Sequence, residues 1–232
     1  MQQSKCLGLI GGLGIGATVH YYRALGKALA AREVSMRLVM AHVETRRVFE
    51  YLANGDRHGL AHYLDGAIGR LRAAGAELAA VPAVAPHVCV RELMAVSSLP
   101  IVNLLDAVAA AVRARGLRRA AIFGTRLAME TGVFGALDRV ELIRPAPAKV
   151  DYIHETYVSP ATSGEPSEDG YRGLAELAEG LIREGAEAIV LAGTDLSLIF
   201  NERTTRFPHL DCARVHIDAI LRAMTLEDTS SL

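Results

Sequence analysis

The chain has 232 residues with 25 basic and 26 acidic side chains, and its 51% hydrophobic content includes no Trp and only 5% aromatics. That near-neutral balance, without a long run of either sign, argues against nucleic acid or an anionic membrane surface as a partner, and no apolar stretch reaches the roughly 20 residues of a membrane-spanning helix. Cys6, Cys89 and Cys212 are too few and too scattered for a disulfide framework and lack the paired spacing of a zinc site, so no metal is expected.

Taken in chain order, MQQSKCLGLIGGLG has one Lys followed by Gly-broken apolar residues. It reads as a first strand, not a signal peptide, which implies a cytoplasmic protein. Strand-length apolar runs flanked by turn residues then recur: CLGLIGG, RLVMAHVE, ELAAVPAV, PIVNLL, RAAIFGT, VELIRPA and AIVLAGTDL. Between them TVHYYRALGKALAAREV, GLAHYLDGAIGRLRAAG, LLDAVAAAVRARG, METGVFGALDRV and YRGLAELAEGLIREGA read as helices. The first, second and last repeat apolar residues at three- and four-residue intervals. Such alternation predicts right-handed βαβ crossovers and an α/β fold with mostly parallel sheets. PATSGEPSEDG, residues 160 to 170, is a polar stretch long enough for a lid or a plain solvated loop.

GLAHYLDGAIGRLRAAGAELAAVPAVAPH and GLAELAEGLIREGAEAIVLAGTDLS share one order: Gly-Leu-Ala, an amphipathic helix, a Gly-Ala corner, a strand and a polar turn. Aligning the two strands sets Ala83 opposite Gly193. Two similar lobes are expected, with their strand ends facing across a cleft, and the turns after those strands are where chemistry belongs.

Each such turn offers candidates. GGLGIGA places Gly12, Gly14 and Ala17 in the spacing of a dinucleotide fingerprint, but Glu33 precedes the second strand and Glu44 comes late for the ribose-binding acid. Backbone N–H groups at that helix start would bind any carboxylate as well. VETRR brings Glu44, Arg46 and Arg47 to a strand end, where an Arg fork can grip a carboxylate or simply face solvent. His87 opens a helix beside the cleft and either moves protons near neutral pH or braces the turn. Thr125, with its neighbouring N–H groups, suits an oxygen anion, whereas Glu130 reads as an ordinary helix acid. Thr194 and Asp195 end the strand facing PAVAPH, where Asp195 moves a proton or either residue caps a helix. Asp211 and His216 near the last helix have no metal spacing.

In order, LGLIGGLGIGATVHYYRAL, AHVETRR, VPAVAPH, FGTRLAMETGVF and IVLAGTDLS resemble the successive blocks of the aspartate/glutamate racemase superfamily over almost the whole chain. The resemblance implies two pseudosymmetric α/β lobes, residues 1–100 with 206–232 and residues 101–205, in which the last helix returns to the first lobe. It also implies a homodimer, a small-molecule substrate and no cofactor. Family racemases exchange the α-proton between two cysteines. The Cys-Asn-Thr-x-His block is here Ala83, Val84, Ala85, Pro86 and His87, and the Gly-Cys-Thr-Glu block is Ala192, Gly193, Thr194 and Asp195. A family Thr in the GTRLAMETG block is Ala128. Both thiols are missing, and methyl or hydrogen side chains cannot accept a proton.

Loss of thiols and polar groups predicts a roomier, less polar cleft and a substrate bulkier or less polar than aspartate. The expected activity is cofactor-independent acid/base chemistry, of isomerase, lyase or cyclase type, on a small carboxylate- or carbonyl-bearing molecule. His87, Asp195 and Glu44 are then the proton carriers and Arg46 the anchor, with Gly12, Ala83, Val84, Ala85, Thr125, Gly193 and Thr194 around the substrate. An orthodox amino-acid racemase and an inactive homologue that binds a ligand or partner remain the alternatives.

Overall fold

The structure is a computed structural model and describes residues 2–163, 168–200 and 205–225. The chain runs β1 (Gln2–Gln3), β2 (Leu7–Gly11), α1 (Ile15–Ala30), β3 (Val34–Ser35), β4 (Leu38–His42), α2 (Thr45–Ala53), α3 (Arg57–Ala73), β5 (Leu78–Ala80), a 3-10 turn (Ala85–Cys89), α4 (Val90–Val96) and α5 (Leu104–Arg115). It continues through β6 (Arg119–Gly124), α6 (Arg126–Glu130), β7 (Glu141–Leu142), α7 (Pro147–Ser163), α8 (Glu168–Arg183), β8 (Ala188–Ala192), α9 (Leu196–Ile199), β9 (His209–Asp211) and α10 (Cys212–Thr225).

Two parallel sheets carry the fold. One has the order β4-β2-β5, extended beyond β5 by a parallel bridge from Ala79 to Ile101, and the other is β7-β6-β8-β9. Both place their second strand, first strand, third strand and fourth position side by side in the same order, which is the structural form of the internal repeat. In each sheet the order reverses between the first and third strands, so the turns after β2 and β5, and after β6 and β8, flank a crevice at the carboxyl edge.

Strand alternation divides the first lobe's core. Leu7 and Leu9 pack with Tyr21, Leu25 and Leu29 of α1 and with Ala213, Ile217, Ile220, Leu221 and Met224 of α10. Ile10 turns to the other face, against Leu60, Leu64, Ile68 and Leu71 of α3. Full burial of a Leu or Ile contributes about 1.5–3 kcal/mol, so α10 is an integral layer of a lobe whose strands lie far from it in sequence. The second lobe has its own core, with Ile122 and Phe123 of β6 and Val190 and Leu191 of β8 packed under Ile153 of α7 and Leu174 and Leu181 of α8.

Several expectations change. PIVNLL supplies only the bridge at Ile101, because the Asn103 side chain accepts the Leu105 N–H at 2.9 Å and starts α5. METGVFGALDRV does not form a helix: α6 ends at Glu130, and Gly132, Val133, Phe134 and Gly135 follow with φ of 63°, 52°, 56° and 85°. β9 pairs with β8 in the second sheet, and packing against the first lobe's strands begins at Ala213. Residues 160–163 end α7 and 168–170 begin α8, while 164–167 of the expected lid lie outside the described residues. Among the described residues no helix is long and apolar enough to cross a membrane.

Candidate active site

The crevice between the lobes holds a cavity of about 60 Å³, room for a few water-sized groups. The first lobe lines it with Leu13 and Gly14 after β2, with Thr45, Val48, Phe49 and Leu52 on one side of α2, and with Ala83 to Pro86 after β5. The second lobe adds Thr125, Tyr157 and Asp195.

Asp195 is the charged group of this lining and only 6% exposed. Its Oδ1 accepts the N–H of Ala17 at 3.0 Å, across the crevice. Gly14, the residue preceding α1, has φ 100° and no capping side chain of its own. A Cβ there would come within 2.9 Å of Asp195 Oδ2. Asp195 therefore caps α1 from the opposite lobe, where the helix dipole favours a negative charge. Burial raises the pKa of its carboxyl, and hydrogen bonds from the backbone of Ala17 and of Asp195 itself pull against that rise.

Tyr157, on α7, is buried and was not singled out by the sequence. Its ring occupies the space in front of Gly193: a Cβ built on that glycine falls 2.5 Å from Tyr157 Cζ. The room left by the missing side chain at 193 is thus filled from another helix, which corrects the expectation of a roomier cleft. Burial, then the negative charge of Asp195, hold the phenol well above its ordinary pKa, so the hydroxyl is a neutral donor. Among the described residues it has no hydrogen-bond partner. The helical spacing of Val150, Ile153 and Tyr157 was the available signal for α7.

Of the residues singled out in the sequence, the structure brings Ala83, Val84, Ala85, Thr125 and Asp195 to the cavity. Thr125 Oγ1 also accepts the Ala128 N–H and caps α6. Gly193 stands behind Tyr157, and Thr194 is 1% exposed and not part of the lining. The Gly12 carbonyl accepts the Thr45 hydroxyl, which pins α2 to the Gly-rich turn.

Three expected roles are not supported. Arg46 lies on the open side of α2 and pairs with Glu50 at 3.1 Å, both side chains largely exposed, so it anchors nothing in the cavity. Thr45, one position earlier, faces it together with Val48, Phe49 and Leu52. Glu44 is exposed ahead of α2, its backbone N–H donating to the Tyr63 hydroxyl, and its carboxylate does not line the cavity. His87 is turned into the protein. Its Nδ1 is 2.7 Å from the Ala83 carbonyl, and its Nε2 accepts the Leu104 N–H at 3.3 Å. Those two bonds fix a neutral Nδ1–H tautomer, and burial lowers its pKa to about 4. The ring meets His216 edge-on at 5.9 Å. His216 in turn is bonded through Nε2 to the Val102 carbonyl and through Nδ1 to the Tyr21 hydroxyl. His87 braces the fold beneath the site and offers no open nitrogen for proton transfer.

Cys6, Cys89 and Cys212 are free and buried, and none of them lines the cavity. Among the described residues no group of His, Cys, Asp and Glu is arranged to hold a metal.

Two lobes of like strand order, with the site between their strand ends, define a two-lobed α/β protein. The family model for Asp/Glu/hydantoin racemase matches residues 10–220, and the chain belongs to that family. Solved structures agree on the fold. An aspartate racemase homologue from Pyrococcus horikoshii OT3 superposes with a TM-score of 0.76 at 23% identity, covering 94% of this chain and 99% of that one. The aspartate racemase of Picrophilus torridus gives 0.74 at 21% identity, covering 96% of each chain. An arylmalonate decarboxylase gives 0.54 at 13% identity over 96% of this chain and 94% of its own. The family and these neighbours are enzymes.

Proposed function

We propose that this protein is a cofactor-independent acid/base enzyme, of isomerase or lyase type, acting without a thiol on a small carboxylate- or carbonyl-bearing compound. The observation that carries the reading is the pairing, in one cavity, of a buried carboxylate of raised pKa with a neutral phenol. Asp195 is the proton carrier and Tyr157 the hydrogen-bond donor. In the simplest step the C–H bond next to a carbonyl breaks and its proton passes to the Asp195 carboxylate. The electron pair moves into a carbon–carbon double bond, and the enolate oxygen accepts the Tyr157 hydroxyl hydrogen bond. Return of the proton to either face, or loss of a group from the adjacent carbon, completes an isomerisation or an elimination. Burial raises the Asp195 pKa above that of an ordinary carboxylate, the direction that favours its taking up a proton.

The test is incubation of the purified protein with a small-molecule extract in deuterium oxide, read by mass spectrometry beside Asp195→Asn and Tyr157→Phe. The expected result is a compound consumed or deuterated by the parent and slowed about 10²-fold or more in Asp195→Asn, the usual scale of a general acid/base contribution. A compound retained by the parent but never consumed or labelled would make the cleft a binding site and overturn the catalytic reading.

A further inference from the structure

The cavity is open to carboxylates and carbonyls alike on chemical grounds, but its charges are not even-handed. Its lining carries one ionisable acid, Asp195, and among the described residues no Arg, Lys or His. Among the described residues Arg46 pairs with Glu50, Arg126 pairs with Asp151, and Arg47 lies over the ring of Tyr63. The positive end of α1, which would welcome an anion, is already occupied by Asp195. A ligand carboxylate entering here would be desolvated beside a second carboxylate with no counter-charge, a strongly unfavourable arrangement. Apart from Asp195, the polar side chains of the lining are the neutral hydroxyls of Thr45, Thr125 and Tyr157, and the other walls are apolar, which suits an uncharged polar ligand.

We propose that the self-capped α1 makes this cleft an anion-excluding site whose ligands are uncharged carbonyl compounds, with Asp195 the residue that sets the charge preference. This inference rests on the function proposed above and narrows its substrate class. The carbonyl oxygen takes the Tyr157 hydroxyl, while the apolar remainder lies against Ala83 and Val84.

The experiment compares propionamide with propionate, two probes of one shape that differ in charge, by amide chemical-shift titration of the ¹⁵N-labelled protein. The amides of Gly14, Ala17 and Thr125 report. Propionamide is expected to bind at least about tenfold more tightly than propionate, the scale of a small uncompensated charge penalty. In Asp195→Asn, which keeps the side-chain shape and a capping oxygen, the gap closes as propionate binding improves. Should that variant not fold, Tyr157→Phe is expected to weaken propionamide several-fold without admitting propionate. Equal or tighter binding of propionate by the parent would overturn the proposal, as would an unchanged preference in Asp195→Asn. Neither probe needs to be turned over, so failure to find a catalysed reaction leaves this result standing, and a reaction found on a carboxylate would overturn this inference alone.

Discussion

A side chain at position 193 has nowhere to go while Tyr157 lies in front of it. Gly193→Cys is therefore expected to cost about 1–3 kcal/mol in urea unfolding, the range of an overpacked core. Combining it with Tyr157→Leu should cost less than the sum of the two single changes, since each removes what the other strikes. The buried imidazoles predict a pH dependence. His87 and His216 take up protons near pH 6.5 when unfolded but only at about 4 and about 3 when folded. The unfolded state binds more protons throughout that window, so stability should be full above about pH 6.5 and fall as pH drops toward 4. Urea titrations at pH 7.5, 6.0 and 5.0 would show this. His87→Gln should flatten the slope, whereas an unchanged profile would mean that other groups govern the acid side.

α1 begins at a glycine turn and borrows its cap from the other lobe, so the element and the site share one carboxylate. Asp195→Ala is expected to lose about 1 kcal/mol of stability and Asp195→Asn much less, as N-cap exchanges do; thermal melts of the two variants would separate capping from catalysis. This scale also shows what the sequence made readable. β2, β6 and β8 stood out as apolar runs because a strand buried on both faces needs no polar positions. The turns after β5, β6 and β8 deliver Ala83, Val84, Ala85, Thr125 and Asp195 to the cavity, because the crevice lies beyond the carboxyl ends of those strands. Groups from helices were harder to place. A helix turns about 100° per residue, so Arg46 and Thr45 are neighbours in sequence and face different surroundings. Tyr157 reaches Gly193 from 36 positions away, 193 minus 157, a contact no local pattern encodes. Val133 and Phe134 have good helical neighbours yet take left-handed backbone between two glycines, where tertiary packing overrides periodicity.

At the scale of the molecule, the two sheets repeat one strand order, and α10 binds the chain's later part to its earlier lobe. Without α10 the first lobe would expose Leu7, Leu9, Tyr21 and Leu25 and leave the Tyr21 hydroxyl without His216. A chain cut before Cys212 is thus expected to lose cooperative unfolding and to bind a hydrophobic dye, while a native-like urea transition would show that the lobe completes its core alone. The position of α10 also bears on how the molecule is made. During synthesis the first lobe emerges early, and the 14 residues that seal its underside are translated only after the entire second sheet. The part of the protein that leaves the ribosome first is finished last, and until then its exposed apolar strands are a natural client surface for nascent-chain chaperones.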